Sequence, residues 1–352
     1  MVSERLGIGV DVGGTKLAAG LVAADGEVLD RARWGTPGEP GAILAGIIKA
    51  VSEIEGRHAV RGLPVGVGIA GIVDRRGVAR YTPNLPLIDR PVLDELRQGL
   101  SDGGEAAGAW EDRLVTVDND ATVAAWGEYR VGAGAGAASS LLMLTVGTGV
   151  GGGLVLDGRL VRGAHGFAAE FGHIIVSEGG PECACGNRGC LEALASGTAL
   201  GRFGEEALAA GAVPPGSALY ALGASPKASS GAPSAVTGLH ITGKSVTVAA
   251  QAGDQFAIEL LARCGFWLGV GLASLVNALD PEIVVIGGGV SDAGELLLKP
   301  ARAAMADRLI GAGHRPVPPV ASARLGNDAG LIGAALLALG QPEEDPAFGE
   351  KS

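Results

Sequence analysis

Leu6-Gly7-Ile8-Gly9-Val10-Asp11-Val12-Gly13-Gly14-Thr15-Lys16 is the stretch that decides the architecture of this chain. Residues 6–12 alternate as a buried strand, Gly13-Gly14-Thr15 turn the backbone, and Lys16 to Ala23 returns as a second strand. Asp25-Gly26 reads as a hairpin turn, and Glu27 to Trp34 as a third strand. The same order recurs downstream. Leu141 to Val146 is a strand, Gly147-Thr148-Gly149 turn, Gly151 to Leu156 returns, and Asp157-Gly158 turn again before Arg159-Leu160-Val161. Counted from Gly-Thr to Asp-Gly, the two copies differ by one residue. Two such units, each followed by helices and further strands, imply an α/β chain of two similar domains facing each other across a cleft.

The two turns suggest phosphate binding. Glycines let consecutive backbone N–H groups point into one concavity, and Thr15 and Thr148 add hydroxyl donors. Asp11, at the end of its strand, is placed to hold Mg²⁺ through water. A single copy would read equally well as a tight hairpin; two copies, each with threonine in the turn, favour phosphate. Two other phosphate motifs fail on context. Gly238-Leu239-His240-Ile241-Thr242-Gly243-Lys244-Ser245 fits the P-loop pattern, yet follows a Ser/Ala/Pro stretch where a buried strand is required. Thr242 instead reads as the N-cap of a helix from about Gly243 to Ala252. Gly147-x-Gly149-x-x-Gly152 opens into a strand where a dinucleotide fingerprint needs a helix.

Three of the four cysteines, Cys183, Cys185 and Cys190, fall within eight positions, ten residues after His173. One histidine and three cysteines complete a tetrahedral donor set for Zn²⁺, and Gly186 and Gly189 let the backbone bend around it. A filled shell leaves no open position for water, so the predicted zinc is structural. Free thiols or a disulfide are the plainer alternatives, but the odd Cys264 and an N-terminus without signal-peptide features speak against an oxidised secreted chain. A nucleic-acid zinc module would need basic surroundings. A zinc protease would need a second histidine beside Glu170-x-x-His173. The knot would fix Glu170 and Glu192 near one another as a polar binding site.

Further candidates stand at Leu114-Val115-Thr116-Val117, a short strand ending in Asp118-Asn119-Asp120 before a helix over Ala121 to Tyr129. Side chains at such a junction project into a crevice, although Asp118 or Asp120 could simply cap the helix. Asp120 is the candidate general base, a carboxylate able to accept a hydroxyl proton as that hydroxyl attacks a γ-phosphoryl group. Asn119 can donate and accept, which suits vicinal hydroxyls. Asn119, Asp120, Glu170, His173 and Glu192 together form the acceptor-rich set that a polyol requires. His173 can serve the metal with one ring nitrogen and turn the other toward the ligand.

With 352 residues, two domains are expected. Lys and Arg number 27 against 38 Asp and Glu, a net charge of −11, which leaves no electrostatic footprint for DNA or RNA. The uncharged stretch Val131 to Leu156 is broken by glycines into helix end, strand, loop and strand. The apolar run Cys264 to Val276 is too short for a bilayer, and its Gly/Ala spacing suits a buried helix. No membrane partner and a cytoplasmic location are therefore expected. Gly223 to Thr237 reads as a surface insertion and Gln341 to Ser352 as a disordered tail.

Taken together, these residues resemble the ROK family (repressors, open reading frames and kinases) of the actin-like/hexokinase ATPase superfamily, from about Leu6 to Leu339. The likeness rests on Gly151-Gly152-Gly153-Leu154 through Gly163, Glu170-Phe171-Gly172-His173 and Cys183 to Glu192. It extends to Gly68-Ile69-Ala70-Gly71, Thr82-Pro83-Asn84-Leu85-Pro86, Ile286-Gly287-Gly288-Gly289-Val290 and Leu325-Gly326-Asn327-Asp328-Ala329-Gly330. It is strongest to actinobacterial glucokinases of that family. The resemblance implies two actin-like (ribonuclease H-like) domains with a zinc knot. They would comprise a smaller one over 1–118, joined by a C-terminal helix at about 325–340, and a larger one over 119–324.

Carried over residue by residue, it implies ATP phosphates at Gly13, Gly14, Thr15, Lys16, Thr148 and Gly149, with Mg²⁺ near Asp11 and adenosine near Gly287, Gly288 and Gly289. The hexose falls to Gly71, Asn84, Asn119, Asp120, Glu170, His173 and Glu192, with Asp120 as base. Zinc falls to His173, Cys183, Cys185 and Cys190. The implied reaction is ATP-dependent phosphorylation of a hexose at its 6-hydroxyl, glucose first, by a homodimer or homotetramer. An N-acetylmannosamine or other hexose kinase and a polyphosphate-using glucokinase are the alternatives. A sugar-responsive repressor would carry a winged helix ahead of the first glycine loop, where this chain has ten residues before Asp11. Many members have Gly-Trp after Asn-Leu-Pro; here Leu87-Ile88 follow, so the sugar-side loop differs.

Overall fold

The computed structural model describes residues 5–101, 113–136, 139–223 and 240–340. Apart from Gly223, the expected insertion lies outside them, as do the tail Gln341 to Ser352 and the first two residues of the P-loop-like stretch. The chain divides into two compact units. The first comprises 1–142, 153–169 and 323–352; the second comprises 143–152 and 170–322.

The first unit begins with β1 (Leu6–Val12), β2 (Lys16–Ala23) and β3 (Val28–Gly35), followed by α1 (Pro40–His58) and β4 (Val65–Ile69). Short strands β5 (Ile72–Val73) and β6 (Ala79–Tyr81), then α2 (Val92–Ser101), lead to β7 (Val115–Asn119) and α3 (Asp120–Arg130). Its sheet runs β3-β2-β1-β4-β7, antiparallel across the hairpin strands and parallel from β1 to β4 to β7.

Residue parity along β1 explains its composition, because successive side chains leave opposite faces of a strand. Ile8, Val10 and Val12 are fully buried in a cluster with Ile43, Ile47 and Ile54 of α1. Gly7, Gly9 and Asp11 take the other parity, against the last helix among the described residues, α10 (Ala329–Ala338). A Cβ on Gly9 would lie 1.8 Å from Leu331 O, one on Gly66 of β4 1.8 Å from Ala334 O, and one on Gly333 1.7 Å from Val123 O of α3. Backbones this close leave no room for a methyl group. The uniformly apolar sequence of α10 follows, since it is covered by β1, β4 and α3. Its first turn meets Asp11: a Cβ on Gly330 would stand 3.1 Å from Asp11 Cγ.

The second occurrence of the hairpin gives β8 (Leu141–Val146), β9 (Val150–Leu156) and β10 (Arg159–Leu160). Helices α4 (Glu192–Ala195), α5 (Gly197–Ala209), α6 (Leu219–Gly223), α7 (Gly243–Gln251) and α8 (Gln255–Leu279) precede β11 (Ile283–Gly287), α9 (Glu295–Ala306) and β12 (Val320–Ser322). The sheet order β10-β9-β8-β11-β12 repeats that of the first sheet, third-second-first-fourth-fifth. The duplication inferred from the turns is thus a duplication of topology.

Thr242 caps α7 as expected, closing a capping box with Ser245. Helix α8 differs from expectation in length. The apolar run 264–276 lies toward the C-terminal end of a 25-residue helix that is long and apolar enough to cross a membrane by those two criteria. Its packing identifies it as a core helix: Gly265 and Gly269 face α9 so closely that a Cβ would lie 2.5 Å from Leu297 O or 2.3 Å from Ala301 O.

Candidate functional site

In the first unit the β1–β2 turn is closed by Gly13 N–H donating to Lys16 O at 2.9 Å, while Thr36 Oγ1 donates to Gly13 O at 2.7 Å. Asp11 stands just before it. Burial raises the Asp11 carboxyl to about 6, partly opposed by the Lys16 charge. The equivalent position in the second copy, one residue before the strand end at Val146, is Thr145, so only one of the two turns carries a carboxylate.

The candidate base sits where β7 becomes α3. Helix α3 begins at Asp120, one residue earlier than expected, and its cap is Asn119, whereas Asp118 and Asp120 were the capping alternatives. Asn119 Oδ1 accepts from Thr122 N–H at 2.9 Å, and its Nδ2 donates to Gly71 O at 3.0 Å and to Asp120 Oδ1 at 3.1 Å. Ala121 N–H donates to the same Asp120 oxygen at 2.9 Å. Asn119 therefore orients the Asp120 carboxylate and ties it to Gly71.

Behind them Asp118 accepts from Asn119 N–H at 2.9 Å and from Arg162 Nε at 2.6 Å. Arg162 escaped the sequence reading, because nothing in a separation of 44 residues announces the pair; its one signal was adjacency to Gly163 at the end of a signature stretch. Thr82 was also passed over as a structural element. Its one hydroxyl proton is shared between Leu85 O at 2.6 Å and Leu87 O at 2.8 Å, and its oxygen accepts from Leu87 N–H at 3.2 Å, which knots the loop presenting Asn84.

In the second unit, His173, Cys183, Cys185 and Cys190 bring one ligand atom each to within 4.8 Å of one another. Cys185 Sγ and Cys190 Sγ are 3.7 Å apart, and Cys183 Sγ is 3.7 Å from His173 Nδ1. Thiolates at about 2.3 Å from a tetrahedral Zn²⁺ stand about 3.8 Å apart, so the spacing fits zinc and is far too long for a disulfide. Burial pushes the Cys183 thiol up to about 12, which means that its thiolate needs a cation beside it. Gly186 and Gly189, with φ of 91° and 75°, supply the left-handed turns the knot requires. Metal ligation through Nδ1 leaves His173 Nε2 for other partners.

Glu170 precedes the single turn Phe171–His173, and its carboxyl is raised by burial, lowered by His173 and raised by the charge of Glu192. Glu192 Oε2 accepts from Val150 N–H at 2.9 Å, and its Oε1 lies 3.5 Å from Cys183 Sγ. The knot is thereby joined to the turn Gly147-Thr148-Gly149. That turn is also held by α5: Gly197 N–H donates to Gly147 O at 2.7 Å, and Thr198 Oγ1 to Thr148 O at 2.8 Å. Gly288, at φ 84°, lies against Val146, so Gly287-Gly288-Gly289 adjoins the same turn. Gly71, Asn84, Asn119 and Asp120 belong to the first unit; Glu170, His173 and Glu192 belong to the second.

Two sheets of this repeated order, each opening on a Gly-Thr turn, define the actin-like ATPase fold, here with a Cys₃His knot. The ROK family model matches residues 7–341, and the chain belongs to the ROK family. It is 41% identical over 345 residues to the glucokinase of Streptomyces coelicolor, covering 97% of this chain and 99% of that protein. It is 32% identical over 345 residues to the N-acetylmannosamine kinase of Escherichia coli O157:H7, covering 95% and 98%. Among solved structures, a ROK family glucokinase from Streptomyces griseus in complex with glucose and AMPPNP matches with a TM-score of 0.77 at 40% identity. That match covers 95% of this chain and 99% of the other.

The raised carboxyl of Asp11 gives a prediction with a definite sign. Its folded value of about 6 exceeds the ordinary 3.8, so the folded protein binds the extra proton between those values and loses stability as pH rises through about 6. Asp11→Asn removes that cost. In urea unfolding without Mg²⁺, the variant should gain on wild type by about 2 kcal/mol between about pH 4.5 and about pH 8. A stability difference that does not change with pH contradicts the burial of this group.

Proposed function

We propose that this chain transfers the γ-phosphoryl group of ATP to the 6-hydroxyl of a hexose, with glucose as the preferred acceptor. The observation that carries the reading is the fixed Asp120 carboxylate, held through Oδ1 by Asn119 and Ala121 at the start of α3. The chain that holds it matches ROK glucokinases over nearly its whole length. The transition state of phosphoryl transfer is loose, so the protein's task is positioning and charge stabilisation, and a carboxylate that accepts the hydroxyl proton completes it.

In this reading Gly71, Asn84, Asn119, Glu170, His173 and Glu192 hold the sugar hydroxyls. Gly13, Gly14, Thr15, Lys16, Thr148 and Gly149 bind the phosphates through backbone N–H groups and hydroxyls, and Gly287, Gly288 and Gly289 receive adenosine. Asp11 would hold Mg²⁺, which would offset the charge of the phosphates. Zn²⁺ on His173, Cys183, Cys185 and Cys190 is structural, with no ligand position left for chemistry. The functional division we propose, 1–118 plus the C-terminal helix against 119–324, is offset from the compact units, which keep 119–142 and 153–169 with the first.

A second acceptor is favoured by one finding: N-acetylmannosamine kinases are 32–33% identical to this chain over nearly its full length. Glucose is preferred because hydrogen-bond acceptors around a metal-fixed imidazole suit a free hydroxyl better than an acetamido group. Sites built for hydrogen-bonded hydroxyls penalise analogues that leave them unpaired by on the order of a hundredfold or more. The sugar and nucleotide are the partners. We place the enzyme in the cytoplasm as a homodimer or homotetramer, the assembly expected of the family; light scattering that returns a monomer contradicts that assembly.

The reaction is tested by a coupled assay with ATP across hexoses, paired with Asp120→Asn. Glucose should give the highest kcat/KM, and the variant should lose about a hundredfold or more in kcat while glucose binding is largely retained, since the amide keeps shape but not basicity. Near-wild-type turnover in the variant refutes Asp120 as base. A highest kcat/KM with N-acetylmannosamine refutes the glucose assignment.

A further inference from the structure

Each nucleotide turn contains glycines of two kinds. A Cβ on Gly147 would meet nothing within 4 Å, and one on Gly13 would make only an ordinary contact, 3.5 Å from Lys16 O. The other glycine of each turn is blocked. A Cβ on Gly14 would lie 2.7 Å from Asn84 Cβ and 3.1 Å from Asn84 O. A Cβ on Gly149 would lie 2.3 Å from Glu192 Oε2 and 3.1 Å from Glu192 Cδ. If glycine served only to admit phosphate, the blocking atoms would have no reason to belong to sugar-site residues. They do so in both units, and each contact lies within one unit.

Both contacts are backed by stiff structure. Asn84 rides on the loop knotted by the Thr82 hydroxyl, so a displacement at Asn84 cannot be absorbed by its neighbours. Glu192 is held by Val150 N–H and follows the knot cysteine Cys190 by two residues. Gly172 closes on the same residue from the other side, where a Cβ would lie 2.1 Å from Val150 O. Packed elements of this kind shift as units.

We propose that the hexose and nucleotide sites are mechanically coupled inside each unit by direct contact of a nucleotide-turn glycine with a sugar-binding side chain, Gly14 with Asn84 and Gly149 with Glu192. Ordering of a turn by phosphates positions the sugar ligand, and by linkage the sugar orders the turn. This rests on the hexose kinase reading above.

The test is calorimetric titration of the full chain with glucose alone, with AMPPNP alone, and with each in the presence of the other. Wild type should show positive coupling, with glucose tightened about fivefold or more by AMPPNP and the reciprocal factor equal. Gly14→Ala and Gly149→Ala should each weaken glucose about tenfold or more in the absence of any nucleotide and bring the coupling factor toward one. Gly41→Ala in α1, whose methyl group meets nothing within 4 Å, should leave glucose binding without nucleotide unchanged.

In a double-mutant cycle, Gly149→Ala should cost no further glucose affinity once Glu192→Ala is present, which separates displacement of that carboxylate from general misfolding. Alanine variants that bind glucose as wild type does while losing AMPPNP affinity overturn the coupling and leave the kinase reading intact. Wild-type protein that binds AMPPNP and no hexose overturns both.

Discussion

The interaction on which the rest of the second unit depends is the acceptance of the Val150 N–H by the Glu192 carboxylate, two residues beyond a cysteine of the metal knot. Val150 opens the strand that follows Gly147-Thr148-Gly149, so this one bond ties the zinc donors to the nucleotide turn. Glu192 is half-buried, with Oε1 3.5 Å from Cys183 Sγ, and the Val150 N–H on Oε2 offsets part of the cost of its desolvation. A structural metal in an enzyme whose chemistry needs no zinc finds a reason in this linkage, since Zn²⁺ on the Cys₃His set would stiffen the turn that we propose binds the phosphates.

The first unit solves the same problem without a metal. Parity along β1 sends Ile8, Val10 and Val12 into the core and Gly7, Gly9 and Asp11 toward α10. Glycine on that face allows the helix to lie directly on the sheet, and the same parity delivers Asp11 to its first turn. Duplication then explains the repeated sheet order, and divergence explains why Thr145 stands where Asp11 does in the other copy. Under the proposed roles one carboxylate would suffice for one cation, and a second would add like charge beside the phosphates.

Much of this was legible in the sequence because it is local. The hairpins announce themselves through Asp25-Gly26 and Asp157-Gly158, the repeated Gly-Thr turns carry the duplication, and a Cys₃His set within 18 residues names its metal. The cap of α7 at Thr242 was read from context against a P-loop pattern that fits letter for letter. What stayed hidden depends on chain path. The Arg162–Asp118 pair spans 44 residues, and the seats of Gly14 on Asn84 and Gly149 on Glu192 join segments whose spacing carries no periodic signal. The length of α8 was misjudged because polar residues at its exposed positions, Glu259 and Arg263 among them, interrupt the apolar run without interrupting the helix.

Support by the metal knot of the proposed nucleotide turn, as well as of the proposed sugar ligands, is open to direct measurement. The experiment follows zinc content, glucose affinity and AMPPNP affinity together while a chelator strips the protein, with circular dichroism reporting the fold. The account predicts about one zinc per chain at the outset, and a parallel loss of both affinities as the metal leaves, restored by added Zn²⁺. Undiminished AMPPNP affinity in zinc-free, folded protein would contradict it.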